Sequence, residues 1–312
     1  MSQTGEPTLD QSAAAHATAL ASAFARPVWI GLGLLGALCV AGWVFLAAML
    51  FAMTSAMDAG DLGPGMGLFN AVGGYLLLSD EAQALLAAIC RVGMPGPFGL
   101  AMPGEGAWNV AQMSSVLLMW IAMVGAMMLP SAAPMIRTYG EITETAHAKG
   151  KTIPSPMILI AGYVIVWIGA AFGFAVLQGV AAELGLLSGV TFTPVSLWMA
   201  AAVLGVAGLY QFSNLRTACL TKCRAPFNYF FANWTERPMG VLRHGLRQGL
   251  WCLGCCAGLM LVMFAVGLMN VLWMAALAIV MTVEKLIGGQ MIARLTGAAC
   301  LVAAVSIALV AV

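Results

Sequence analysis

Charge is what this chain has least of. Only 8% of its 312 residues are charged, whereas 62% are hydrophobic and the mean hydropathy is +0.96. A soluble globular protein carries roughly 25% charged residues, because its surface must stay hydrated. The composition therefore excludes a soluble protein and predicts one whose surface is covered mostly by lipid. A net charge of +1, with no nucleic-acid-binding pattern, indicates no nucleic-acid partner.

Several functional motifs are absent as well. The sequence contains no phosphate-binding loop, no zinc-protease motif and no serine triad. Residues 31–36 fit a dinucleotide-binding glycine pattern, but no strand precedes them and they lie inside an apolar helix. No secretory signal is evident, since Arg26 leads directly into a full-length span. We expect residues 1–26 to form a disordered cytoplasmic tail and 27–312 to form one integral membrane domain.

Long charge-free windows predict the number of membrane crossings. A spanning helix needs about 20 apolar residues. The window 248–283 would be about 54 Å long as one helix, which exceeds a hydrocarbon core of about 30 Å. It therefore predicts two helices with a reversal near Gly267–Asn270. The six windows are 27–57, 106–136, 152–182, 184–215, 248–283 and 295–312. The predicted fold class is an all-α polytopic bundle of about seven transmembrane helices.

The basic residues predict the orientation of this bundle. With the amino terminus inside, every Lys and Arg except Arg91 falls on the inner side, as cytoplasmic loops require. We therefore predict an inward amino terminus, an outward carboxyl terminus and a bacterial inner (cytoplasmic) membrane. The external segment is then 58–107, which is rich in Gly, Pro and Met. If 66–78 and 82–100 also crossed, the count would be nine.

Cysteine spacing gives the strongest functional signal. Three thiols at i, i+3 and i+4 share one helical face, and a pair one turn apart precedes them at the inner end of the previous helix. They could meet if the two helices are neighbours, and on the inner side they should stay reduced. With His244 as an auxiliary ligand they would suit Cu(I), or alternatively tetrahedral Zn(II). The five thiols are Cys219, Cys223, Cys252, Cys255 and Cys256.

Nearby charges complete this prediction. The cations Arg216, Lys222 and Arg224 should lower the pKa of the thiols and favour the metal-binding thiolate. Glu284 should form an interfacial salt bridge with Lys285 or Arg294. The isolated cysteines, by contrast, read as small apolar packing residues; they are Cys39, Cys90 and Cys300.

Methionine is abundant, with 22 residues. Several recur at i, i+4, which places successive sulfurs on neighbouring turns of a helix. Ordinary packing explains many of them. Met thioethers on the outer side and Cys thiols on the inner side would also suit uptake of Cu(I), because the ion would move toward ligands of higher affinity. The stripes are Met49, Met53 and Met57; Met119, Met123 and Met127; and Met260 with Met263, which extend the cysteine face.

These motifs resemble the DUF2182 family of predicted metal-binding integral membrane proteins. The resemblance covers roughly 108–294 and depends most on the Cys pair followed by Cys252-Leu253-Gly254-Cys255-Cys256. It implies a multi-helix membrane fold with a metal site at these cysteines. The chain departs from the family pattern at Ala257, where an aromatic residue is common, and at Arg216, where lysine is usual.

Transport or delivery of a thiophilic metal is the function predicted from these features. Partners would be the bilayer, the metal ion and a metallochaperone or membrane oxidase subunits. Two alternatives stay open: a thiol–disulfide enzyme that exchanges electrons with quinone, and a structural or assembly subunit of a membrane oxidase complex. The sequence does not settle whether the chain is an enzyme, although a binding or transport protein is favoured.

Overall fold

The computed structural model describes residues 27–54, 58–68, 110–151, 153–188, 191–287 and 290–312. Within these ranges the chain forms ten α-helices and no strand beyond one bridge between Leu187 and Pro194. The all-α prediction is confirmed for this part of the chain. The helices are α1 (Pro27–Thr54), α2 (Val110–Met128), α3 (Ala133–Ala148), α4 (Pro156–Glu183), α5 (Leu197–Gln211), α6 (Asn214–Arg224), α7 (Pro226–Ala232), α8 (Pro238–Val266), α9 (Val271–Leu286) and α10 (Met291–Val310).

Four of the described helices, α1, α4, α8 and α10, are long and apolar enough to cross a bilayer. A fifth span results if α2 and α3 are counted together, since they are bent by 44° where Pro130 interrupts the helix. The remaining two predicted crossings correspond to α5 and α9. These have 15 and 16 residues, about 22–24 Å, which is short for a span.

The predicted reversal in the longest window is confirmed. Helix α8 ends at Val266 and α9 begins at Val271, with Gly267 between them at φ +99°. The buried Asn270 side chain accepts a hydrogen bond from the Trp273 amide at 3.2 Å and donates to the carbonyl of Val266 at 3.2 Å. It thus satisfies backbone groups that the break frees, as its position predicted.

Helix α8 occupies the centre of the bundle, because 67% of its apolar window is buried against at most 33% in α1, α4 and α10. Glycines allow this position. A Cβ on Gly245 would lie 2.1 Å from the Leu159 carbonyl oxygen, and one on Gly162 would lie 2.4 Å from that of Leu242. Such close backbone contact between α4 and α8 is typical of membrane helices with small residues at the interface.

The two segments that hold most of the polar residues, 137–152 and 216–247, meet at one end of the bundle. Lys151 forms an ion pair with Glu236 at 3.8 Å. The rings of Tyr139 in α3 and Phe230 in α7 pack edge to face with centroids 5.5 Å apart. Both segments were predicted to lie on the same side of the membrane, and these contacts agree with that placement.

Candidate metal centre

Four thiols from two helices lie together beside the centre of the bundle. Cys252, Cys255 and Cys256 of α8 are each at most 2% exposed. Cys255 donates to the Cys252 carbonyl at 3.1 Å, and the sulfurs of Cys255 and Cys256 are 3.5 Å apart. Cys223 of α6 joins them, since its thiol interacts with those of Cys252 and Cys255. The structure therefore brings together thiols that are about thirty residues apart in the chain.

A lysine from α9 contacts this cluster, and sequence reasoning missed it. The Lys285 ammonium donates to the Cys252 sulfur at 3.0 Å and to the Ser131 hydroxyl at 2.7 Å. The Tyr163 hydroxyl of α4 lies 3.0 Å from the same sulfur. Cations and hydrogen-bond donors at a sulfur stabilise its thiolate form. The signal in the sequence was that Lys285 lies four residues after Met281, which places both on one face of a helix.

The predicted charge partners were wrong. Glu284 forms a buried ion pair with Arg216 rather than with Lys285 or Arg294. Lys222 lies over the Trp251 ring, 5.3 Å from its centroid. Arg216 and Lys222 are thus committed elsewhere. Hydrogen bonding to Cys252, together with burial, raises the pKa of Cys223 to about 12. The basic neighbours were expected to lower this pKa.

Two further predicted ligands have other neighbours. Cys219 packs against Gly254, where an added Cβ would lie 2.6 Å from its sulfur; Gly254 is about 200° around α8 from Cys252. His244 lies two turns before Cys252, about 12 Å along the axis. Its ring packs on Tyr229 and its Nδ1 is 2.8 Å from the Tyr229 hydroxyl. Within the described ranges its Nε2 has no hydrogen-bond partner.

The predicted methionines lie in the same buried core as the thiols, each at most 1% exposed; they are Met119, Met123, Met127, Met260 and Met263. The core contains further thioethers that were not singled out, namely Met66, Met128, Met135, Met269, Met274 and Met281. Met49 is half-buried. Met57, Cys90, the Met53 side chain and most of the external segment 58–107 lie outside the described residues. A thioether-rich interior thus adjoins the thiol cluster.

The donor groups of this cluster are soft sulfur ligands. Over the part of the chain that the structure describes, no group of three or more His, Cys, Asp and Glu side chains is placed to hold a metal ion. Soft thiol donors suit Cu(I) and Zn(II) alike. The donor set is therefore compatible with copper and leaves the choice between these two metals open.

The cluster adjoins a cavity of about 450 Å³. Ser131 and Lys285 line this cavity, together with Trp29, Pro134 and Arg137. Lys285 thus contacts Cys252 on one side and the cavity on the other.

These features define a class: a protein that is helical over its described residues, with several helices long and apolar enough to cross a membrane and a buried thiol cluster on its central helix. Residues 117–307 match the PpoB2 family, described as a copper chaperone. Because the match covers more than half of the chain, the chain belongs to this family. The predicted resemblance to DUF2182 covered nearly the same residues, and what the match supports is a related, copper-associated family. No curated protein and no solved structure matches the chain.

Proposed function

We propose that this protein binds Cu(I) at the thiol cluster and delivers it to a partner protein. One observation carries the proposal: thiols from α6 and α8 meet beside the Lys285 ammonium, in a member of a copper chaperone family. The ligands are drawn from Cys223, Cys252, Cys255 and Cys256. Cys252 is the first ligand, because its sulfur is the one that the ammonium contacts.

Charge balance supports Cu(I) as the cargo. A Cu(I) ion with two thiolates has a net charge of −1, which the adjacent ammonium neutralises. A Zn(II) ion with the same two thiolates is neutral and leaves the Lys285 charge uncompensated. An uncompensated charge in an apolar interior is costly. If two thiolates bind the ion, Lys285 therefore favours a monovalent ion at the centre.

The buried methionines supply the path to this centre. Met119, Met123 and Met127 of α2, with Met260 and Met263 of α8, offer neutral sulfur ligands that pass Cu(I) along without a proton equilibrium. Cys219 and His244, which were predicted as ligands, lie outside the cluster and are not part of the proposed ligand set. The alternative role of these methionines, packing alone, predicts that their replacement by Leu leaves copper uptake unchanged.

The proposed setting is the inner membrane of a bacterium. It includes seven crossings with the amino terminus inside, a core over 108–294, and a metallochaperone or a membrane oxidase subunit as partner. The thiol–disulfide enzyme and the assembly subunit remain the competing functions. A trapped mixed disulfide with a partner would support the first. Co-purification with an oxidase in the absence of copper would support the second.

Copper stoichiometry tests the proposal. In the full chain purified under anaerobic, reducing conditions, we expect about one Cu(I) per protein, resistant to a competing Cu(I) chelator. Replacement of Cys252, Cys255 and Cys256 by Ser should abolish this binding, because the hydroxyl is a hard, protonated ligand.

The matched control replaces Cys39 and Cys300 by Ser; these cysteines lie on α1 and α10, away from the cluster. The control variant should keep the copper of the unmodified chain. Equal copper in the triple variant and in the control would end the proposal.

A further inference from the structure

A polar cavity of about 460 Å³ lies at the end of the bundle where α5 ends and α10 begins. Gln211 and Phe212 line it from the first of these helices, and Gln290 and Arg294 line it from the start of the second. Helix α6 closes the cavity with the face that carries Arg216 and Arg224. None of these residues takes part in the thiol centre.

The charge in this cavity is positive. Three guanidinium groups line it, from Arg216, Arg224 and Arg294, and none of the described lining residues is acidic. Glu284 lies behind this lining and is ion-paired with Arg216. The amino-terminal end of α6 at Asn214 adds a partial positive charge.

Buried polar atoms in the wall need a ligand. The Gln211 side chain is 3% exposed, and neither its amide nitrogen nor its oxygen has a partner among the residues described; the same holds for Nε of Arg216. An unpaired buried donor destabilises the fold unless an acceptor enters. The hydroxyls of Thr217 and Thr221 already donate to backbone carbonyls, so guanidinium and amide groups supply the donors.

We propose that this cavity binds a phosphate group. The planar guanidinium fork matches phosphate oxygens in pairs, and a helix amino terminus favours the same anion. The phosphate could belong to a phospholipid headgroup or to a small soluble molecule. The surface favours the lipid, because Leu215, Met291 and Leu295 beside the cavity are each more than half exposed and would contact acyl chains.

Lipid retention and phosphate binding by the purified full chain test this proposal. We would measure retained phosphatidylglycerol against phosphatidylcholine by native mass spectrometry, and inorganic phosphate binding by calorimetry. Arg294→Gln removes an exposed guanidinium at the cavity without disturbing the core, and Arg224→Gln removes a second one. The control is Arg137→Gln on α3, whose side chain is exposed and ion-paired with Glu141.

We expect the unmodified chain and the control to bind the anion at least about tenfold more tightly than the Arg224→Gln/Arg294→Gln double variant. The affinity of the single Arg294→Gln variant should lie between these two values. Retention of phosphatidylglycerol that survives millimolar phosphate identifies the lipid headgroup. Its displacement by phosphate, with calorimetric binding, identifies a soluble phosphate. Equal retention and equal phosphate binding in control and cavity variants would overturn the proposal.

Discussion

At the scale of single residues, the Lys285 side chain has the largest consequence for the thiol centre. It stems from the last turn of α9 and reaches the sulfur of Cys252 on α8. A hydrogen bond to a charged group contributes about 1.5–3 kcal/mol. An ammonium at this distance would stabilise a thiolate in an apolar interior, where the neutral thiol is otherwise favoured. It also donates to Ser131, which fixes its position.

Removal of this charge should weaken Cu(I) binding. For Lys285→Met we expect affinity to fall about tenfold to a hundredfold at neutral pH, because a hydrogen bond to charge is lost. The ratio of Cu(I) to Zn(II) affinity should fall as well. Both are measured by competition with chelators for each metal.

Lys222→Met is the matched control, since that ammonium lies over the Trp251 ring and not at a sulfur. It should bind Cu(I) like the unmodified chain. If Lys285→Met and Lys222→Met bind both metals alike, the charge-balance role of Lys285 is wrong.

At the scale of elements, glycine on α8 sets the distances at which other helices approach. Gly245 and Gly249 face α4, whereas Gly254 and Gly258 face Cys219 of α6 and Tyr210 of α5. The Tyr210 hydroxyl donates to the Gly254 carbonyl on that side. Helix α8 is thus in close contact on two faces, and this contact brings Cys223 within reach of the α8 thiols.

Two glycines of α4 provide a matched test of this packing. Gly162→Ala should destabilise the protein by about 1–3 kcal/mol, because its Cβ would overlap the Leu242 carbonyl. Gly169→Ala, on the same helix with nothing within 4 Å, should be neutral or slightly stabilising. Thermal unfolding in detergent gives both values. Indistinguishable midpoints for the two variants would show that the close contact does not exist.

At the scale of the whole molecule, the two polar segments at one end of the bundle determine what topology is allowed. Lys151 and Glu236 form an ion pair, so the loops that carry them lie on one side of any membrane the bundle spans. Helices α4 to α7 connect these loops, and α6 and α7, with 11 and 7 residues, are too short to cross a bilayer. Consequently α4 and α5 either both cross the membrane or both do not. If α4 crosses, α5 crosses as well, although it has only 15 residues.

Reporter fusions test the seven-crossing topology. A reporter inserted near residue 150 and one inserted near 235 should both report the cytoplasmic side, whereas a reporter placed after Val312 should report the opposite side. Each site is tested with two reporters, a fluorescent protein for the cytoplasmic side and an enzyme for the periplasmic side. The two readouts at one site should be opposite, so each controls for the other. A carboxyl-terminal reporter on the same side as the other two would contradict an odd number of crossings.

Local properties of the sequence were enough for the helical class, for the break at Gly267–Asn270 and for the face that Cys252, Cys255 and Cys256 share. Each depends on composition or on spacing within one or two turns, which the chain itself carries. Glycine at a positive φ and Asn at a helix start are also local signals. These features were therefore predictable without knowledge of which helices are neighbours.

Tertiary structure alone decided the partners of the charged and sulfur-bearing side chains. Lys285 is 33 residues from Cys252 and 154 from Ser131, and Arg216 is 68 from Glu284. No helical period relates positions so far apart, so the nearest charges in the chain were chosen as partners and proved wrong. Helix packing determines which groups meet, because glycine contacts place α4, α5 and α6 around α8 and thereby select the cation that lies at the sulfur.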